Sequence, residues 1–90
     1  MAGLNSTDLK MFHNLFPELT PVQTETALLY SWGLGREEVA GIRRVSVPAV
    51  DKSLTICRRL LNVDSLGQLR AVVLLRVNAT LLMNMLTNKS

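Results

Sequence analysis

The sequence predicts an all-α fold in one small domain. Its 90 residues are too few for two ordinary domains, and 48% of them are apolar, which excludes a disordered chain. Apolar residues recur at helical spacing in several segments, and no segment resembles a strand bounded by turn residues. Because only 4% of the residues are aromatic, the core must consist mainly of Leu, Val, Ile and Met.

Residues 1–18 are interpreted as an N-terminal extension. A short helix is predicted over residues 7–16 and ends at Pro17, which cannot continue it. The prediction depends on four apolar residues at helical spacing: Leu9, Phe12, Leu15 and Phe16.

The region 19–64 carries the start and stop signals of three helices. Thr20 and Gln23 form a capping-box pattern around Pro21, and this helical run closes at Gly33. A second short helix is predicted over residues 35–43, and a tight turn follows it. Ser46 is suited to cap a third helix, which Asn62 ends. One buried stripe is expected along the third helix, formed by Val50, Leu54, Cys57 and Leu61.

The region 65–90 is expected to hold a long fourth helix from about Leu66 to Leu86. Its apolar residues exceed one stripe, so it must be buried on two sides, and a chain of this size has too little protein to cover both. We therefore expect a homodimer through this helix. The predicted interface residues are Leu69, Val73, Leu74, Val77 and Leu81.

Cysteine usage and the N-terminal sequence favour a cytoplasmic protein. Cys57 is the only cysteine, so the chain cannot form an internal disulfide. Polar residues interrupt residues 1–16, which argues against a signal peptide. The segment Leu69 to Leu86 is apolar enough to suggest a membrane span, but two arginines and two asparagines break it, and we expect it to pack against protein.

The net charge of +3 is concentrated in the middle of the chain. Between Arg36 and Arg59 six basic residues accompany three acids, whereas basic and acidic residues balance elsewhere. Such a segment could contact a polyanion such as DNA, and it is also compatible with an ordinary solvated surface.

Two short helices joined by a tight turn, followed by a capped basic helix, form a helix-turn-helix pattern. From Leu19 to about Val73 the segments resemble, in order and without gaps, the LuxR/GerE-type helix-turn-helix family of transcription regulators. LTPVQTETALL is similar to the family's LTxREREVL and keeps Glu25. GLGREEVAGIRRVS is similar to GLSNKEIAERLxIS, sharing Gly33, Leu34, Glu38, Ala40 and Ser46. VSVPAVDKSLTICRRLLNV follows ISxxTVKxHxxNIxxKLGV in length and keeps Val50, Leu54, Leu61 and Val63.

The resemblance implies a transcription regulator of four core helices plus the short N-terminal helix. It would bind double-stranded DNA as a dimer and insert the helix from about Val47 to Leu61 into the major groove. The residues expected to contact DNA are Arg43, Arg44, Ser46, Lys52, Ser53, Thr55, Arg58 and Arg59.

Departures from the family pattern favour an alternative function. Positions that usually present polar or basic groups to DNA hold Ala49, Asp51, Ser53, Ile56 and Leu60, and an acid at position 51 would repel phosphates. The scaffold residues therefore match better than the contact residues. The alternative is a degenerate helix-turn-helix module that binds or sequesters another regulator.

No catalytic or metal-binding constellation is visible in the sequence. The chain has one histidine and one cysteine, and it lacks a phosphate-binding glycine loop, a nucleophile paired with a base and a pair of catalytic carboxylates. We therefore expect neither an enzyme nor a cofactor.

Overall fold

A computed structural model describes residues 12–87, and within this range the chain is all α-helical. A single 3₁₀ turn at His13–Leu15 precedes four helices: α1 (Pro21–Ser31), α2 (Arg36–Arg43), α3 (Val47–Leu60) and α4 (Leu66–Thr87). The all-α prediction is confirmed, and the bounds of α1 to α4 lie within about two residues of those predicted. Of the predicted N-terminal helix, residues 7–11 lie outside the described range. In the rest of that segment the structure has a 3₁₀ turn at His13–Leu15 where an α-helix was predicted.

Side chains close to each helix start bind the free amide groups of the first turn. At α1 the predicted capping box is present: Gln23 N donates to Thr20 Oγ1 at 3.2 Å, and Thr20 N donates to Gln23 Oε1 at 2.9 Å. Ser46 Oγ accepts from Ala49 N at 3.2 Å and caps α3, as predicted. At α2, where Gly35 offers no side chain, Gly35 N donates to Glu38 Oε1 at 2.9 Å. These local bonds explain why the helix starts could be located from sequence.

Left-handed residues follow the first three helices and redirect the chain. Gly33 has φ 107°, a conformation that favours glycine, and Asn62 has φ 58°. Both were predicted as helix stops. Arg44 also has φ 58°, a backbone angle that residues other than glycine and asparagine rarely adopt. Arg44 therefore ends α2 at a position where glycine or asparagine is usual.

All the other described elements pack around α1. Leu28 and Leu29 of α1 are buried, and each other helix contributes its own buried apolar residues to the same core. Those of α2, α3 and α4 are Val39, Ala40, Val50, Leu54, Cys57, Leu69, Val73 and Val77. The predicted α3 stripe is confirmed at its first three positions, whereas Leu61 is only half-buried.

Arg76 joins the N-terminal segment to α4. Its guanidinium makes a two-point ion pair with Glu18, at 2.8 Å to Oε1 and 2.7 Å to Oε2, and it donates to Leu15 O at 2.9 Å. The same group lies over the Phe16 ring, 5.2 Å from its centroid. One arginine therefore anchors residues 15–18, and Phe16 is buried beside it.

Glu18→Gln should destabilise the fold above about pH 4.5 and have little effect near pH 2. Hydrogen bonds from Arg76 lower the pKa of Glu18 from 4.5 to about 2, so the ion pair is fully present above the unfolded value and is lost as pH falls through the folded one. The two side chains are about one third exposed, which limits the effect to about 1 kcal/mol. Urea unfolding of both proteins between pH 2 and pH 7 measures the difference, and a difference independent of pH would contradict this prediction.

Candidate nucleic-acid interface

Three residues, Arg44 to Ser46, join α2 to α3. The turn is held by backbone bonds, with Arg44 N donating to Gly41 O at 3.3 Å and Val45 N donating to Ala40 O at 3.0 Å. Val39 of α2 and Val50 and Leu54 of α3 are buried in the same core. The two helices therefore form one packed unit in which α3 turns its other side to solvent.

The outer side of α3 carries a strip of polar and basic residues. Lys52, Thr55 and Arg59 are exposed and lie three and four positions apart, so they share one face of the helix; we call them the basic strip. Thr55 Oγ1 donates to Asp51 O at 3.0 Å.

A second strip on α3, formed by Ala49, Ile56 and Leu60, lies beside the basic one. Ala49 is exposed, Ile56 is half-buried, and Leu60 keeps 45% of its surface exposed. The outer side of α3 is therefore basic along one edge and apolar along the other.

Asp51 does not stand as an isolated acid beside the basic strip. Its Oδ1 accepts from Arg36 Nη1 at 2.9 Å, which links the start of α2 to the first turns of α3. Both side chains are about half exposed, so the pair contributes little to stability. The positive charge of Arg36 does, however, compensate the negative charge of Asp51. The sequence pattern missed Arg36 because no spacing rule connects residues fifteen positions apart on different helices.

Several residues predicted to bind DNA serve the fold. Arg43 turns back to α1, where Nη1 donates to Val22 O at 3.2 Å and to Thr26 Oγ1. Arg58 donates to Asp64 O in the loop before α4. Ser46 uses its hydroxyl as the α3 cap, and Ser53 is half-buried. The predicted residues that remain exposed, and whose side-chain nitrogens have no hydrogen-bond partner within residues 12–87, are Arg44, Lys52 and Arg59. Thr55 lies between the last two.

Cys57 lies in the buried stripe of α3 and behaves as a core residue. Burial raises the pKa of its thiol from 9.0 to about 11, although hydrogen bonds from Ser53 and from the backbone oppose the shift. Its Sγ donates weakly to Gln23 O at 3.5 Å. A protonated, buried thiol is a poor nucleophile.

Three of the five predicted interface residues on α4 are not at the surface. Leu69, Val73 and Val77 are at most 1% exposed and pack in the core of the single chain, so that part of the prediction was wrong. Leu74 is half-buried and Leu81 is exposed. Because α4 is apolar on nearly all sides, periodicity alone could not tell which side faces α1.

The α4 helix is also long and apolar enough to cross a membrane, judged by length and composition, with a mean hydropathy of 1.4 in its most apolar window. Only 17% of that window is buried within the chain. Its inner side is nevertheless built into the core, and Arg76 ties it to Glu18. The apolar surface that the described residues leave uncovered is the opposite side, together with the last turns.

Comparisons with known proteins do not supply a family for this chain. No family model matches it, and neither a curated protein nor a solved structure matches it. Among residues 12–87 no group of three acidic, histidine or cysteine side chains could hold a metal ion.

Arg44→Gly should stabilise the fold, by up to about 1 kcal/mol. A left-handed backbone costs an ordinary side chain about 1–2 kcal/mol, and the greater freedom of glycine in the unfolded chain offsets part of the gain. Asn62→Gly is the matched control, since Asn62 has the same φ of 58° but no charge. Thermal unfolding measures both variants. A large loss of stability in Arg44→Gly would mean that the Arg44 side chain makes a stabilising contact.

Proposed function

We propose that the chain is a DNA-binding transcription regulator, with α2 and α3 acting as a helix-turn-helix and α3 entering the major groove. The observation that carries the proposal is the alignment of Lys52, Thr55 and Arg59 on the solvent side of α3, one short turn after α2. A helix presented in this way fits the width of the major groove. The residue pattern that resembles LuxR/GerE-type sequences predicts the same function, although no family model matches the chain.

The positions of the three cations indicate which of them would contact bases and which would contact phosphates. Lys52 lies in the second turn of α3, and residues near the start of a recognition helix reach base edges. Arg44 in the turn and Arg59 near the other end of α3 flank it and are placed for phosphates. The Arg36 guanidinium, paired with Asp51 at 2.9 Å, offsets part of the repulsion that the acid would otherwise cause.

We also propose that two copies bind together, with α4 as the dimerisation helix. The support is the apolar side of α4 that the subunit leaves uncovered. A two-fold dimer of helix-turn-helix units would bind two half-sites about one helical turn apart.

Arg59→Ala should weaken binding to all duplexes about equally, whereas Lys52→Ala should relax the preference at one base pair by about 1–3 kcal/mol. Losing one phosphate contact makes the negative slope of log affinity against log salt shallower by about 0.9. Arg70→Gln is the charge-matched control: the guanidinium of Arg70 lies over the Tyr30 ring at 4.8 Å, on α4. Fluorescence anisotropy with random and selected duplexes at several salt concentrations measures all three.

If Arg70→Gln weakens DNA binding as much as Arg59→Ala does, the loss of affinity follows from net charge alone. That outcome would contradict a DNA-binding site on α3. An unchanged sequence preference in Lys52→Ala would assign Lys52 to the backbone instead of the bases.

Asp51→Asn should tighten DNA binding and steepen its salt dependence by about one counterion. The substitution removes the negative charge, so the charge of the Arg36 guanidinium is no longer neutralised and this group can bind a phosphate. Because the ion pair is exposed, the free energy of unfolding should change by less than about 1 kcal/mol. Unchanged or weaker DNA binding by a stably folded variant would contradict the proposed position of α3 in the groove.

The second candidate function is a protein-interaction module that binds another regulator. It is favoured by the apolar strip of α3, in which Leu60 is 45% exposed. The apolar residues on the opposite side of α3, such as Leu54 and Cys57, are fully buried. The same titrations separate the two functions. A protein that shows no salt-dependent binding to any duplex supports this second candidate.

A further inference from the structure

The solvent side of α4 carries a regular apolar pattern that extends along most of the helix. Val72, Leu75, Ala79, Leu82 and Leu86 follow one another at intervals of three and four, and we call them the α4 seam. This alternation keeps all five on one side of the helix, as in coiled coils. The side chains of Leu75, Leu82 and Leu86 are 70%, 58% and 65% exposed. An apolar strip of this length on a small subunit marks an interaction surface.

The charges on α4 define what can cover the seam. Its only charged residues are Arg70 and Arg76, and both guanidinium groups are directed at the same subunit, over Tyr30 and onto Glu18. The seam itself is uncharged, so a basic or acidic partner would lose hydration without gaining an ion pair. The complementary surface must be equally apolar and uncharged, and the seam of a second copy has these properties.

The seam is also symmetric about its centre. Leu75 and Leu82 lie on either side of Ala79 at nearly equal distances along the helix, and Val72 and Leu86 lie further out in the same way. When two such helices run in opposite directions, Ala79 meets Ala79, Leu75 meets the second copy's Leu82, and Val72 meets the second copy's Leu86. A small residue at the centre lets the backbones approach, and a large side chain fills each outer layer.

We infer that α4 of a second copy packs antiparallel on the seam and crosses it at Ala79. The inference rests on the proposed dimer and names its contact surface. Opposed helix dipoles favour the antiparallel direction over the parallel one. None of residues 78–87 is buried within the subunit, so the end of each α4 is free to cover the other copy's Leu75 and Val72. Met83 and Met85 lie beside the seam and can adapt to the contact.

Cysteine cross-linking of the full chain, without DNA, tests this geometry. A mixture of the Leu75→Cys and Leu82→Cys proteins should form a disulfide-linked heterodimer under mild oxidation, and neither variant alone should cross-link efficiently. Disulfides need Cα atoms about 4.4–6.8 Å apart, which only the facing layers satisfy. Wild type is the control for Cys57, which is buried. Efficient cross-linking of each variant with itself, but not of the mixture, would show a parallel pair and overturn the inference.

Sedimentation with a charged variant supplies a test that does not depend on oxidation. Leu82→Asp should convert the dimer into monomers, whereas Asn84→Asp, an equally exposed position two residues away but off the seam, should leave it dimeric. Circular dichroism checks that both remain folded. A wild-type protein that is monomeric at micromolar concentration overturns the inference. If the protein floats with phosphatidylcholine vesicles and forms no dimer, the inference is overturned too, because the seam would then face lipid.

The outcomes for the seam and for DNA binding can be told apart. A monomer that binds duplex DNA with a steep salt dependence contradicts the dimer and leaves the role of α3 standing. A cross-linked antiparallel dimer that binds no DNA confirms the seam and contradicts the proposed regulator.

Discussion

The fold depends on burying α1 on most of its surface. Residues 24 and 26–29 and Ser31 are all buried, and α2, α3 and α4 each pack on this helix. Burying a hydroxyl group is costly unless it is hydrogen-bonded. Thr24 Oγ1 donates to Thr20 O at 3.0 Å and Thr26 Oγ1 donates to Val22 O at 3.2 Å, whereas the buried Ser31 Oγ has no partner within residues 12–87. Because one side of each neighbouring helix packs on α1, the position of α1 determines which side of that helix faces solvent.

The helix ends could be predicted because their causes are local. Thr20 with Gln23, Ser46 with Ala49, and Gln68 N with Ser65 Oγ at 3.0 Å are contacts between residues three apart. The burial of α4 could not be predicted in the same way. Leucines, valines and methionines occur around its whole circumference, so the sequence pattern indicates no preferred side. The contact with α1 determines which side of α4 is buried. For this reason the surface of α4 available to a second copy is the seam rather than the side that includes Leu69 and Val73.

The candidate site on α3 was predictable in part for a similar reason. The buried stripe of Val50, Leu54 and Cys57 places Lys52, Thr55 and Arg59 outward by helical geometry alone. Arg43 and Arg44 show where such reasoning stops. They are adjacent in sequence, but Arg43 still belongs to the helix and turns towards Thr26, whereas Arg44 has left-handed backbone and lies at the surface. Only the position of α1 reveals that the first of the two cations is part of the packing.

The two proposed surfaces constrain one another. An antiparallel pair has its two-fold axis perpendicular to α4 at Ala79, so the two α3 helices would be related by the same axis, as the two halves of a palindromic site are. A slip of one helical turn along the seam, about 5.4 Å, would still bury leucines but would shift the two α3 helices relative to the DNA repeat. Such a slip places Ala79 opposite a leucine and leaves both outer layers unfilled, which costs packing. The small residue at the centre therefore favours a single register, and a dimer that must match a fixed half-site spacing requires one.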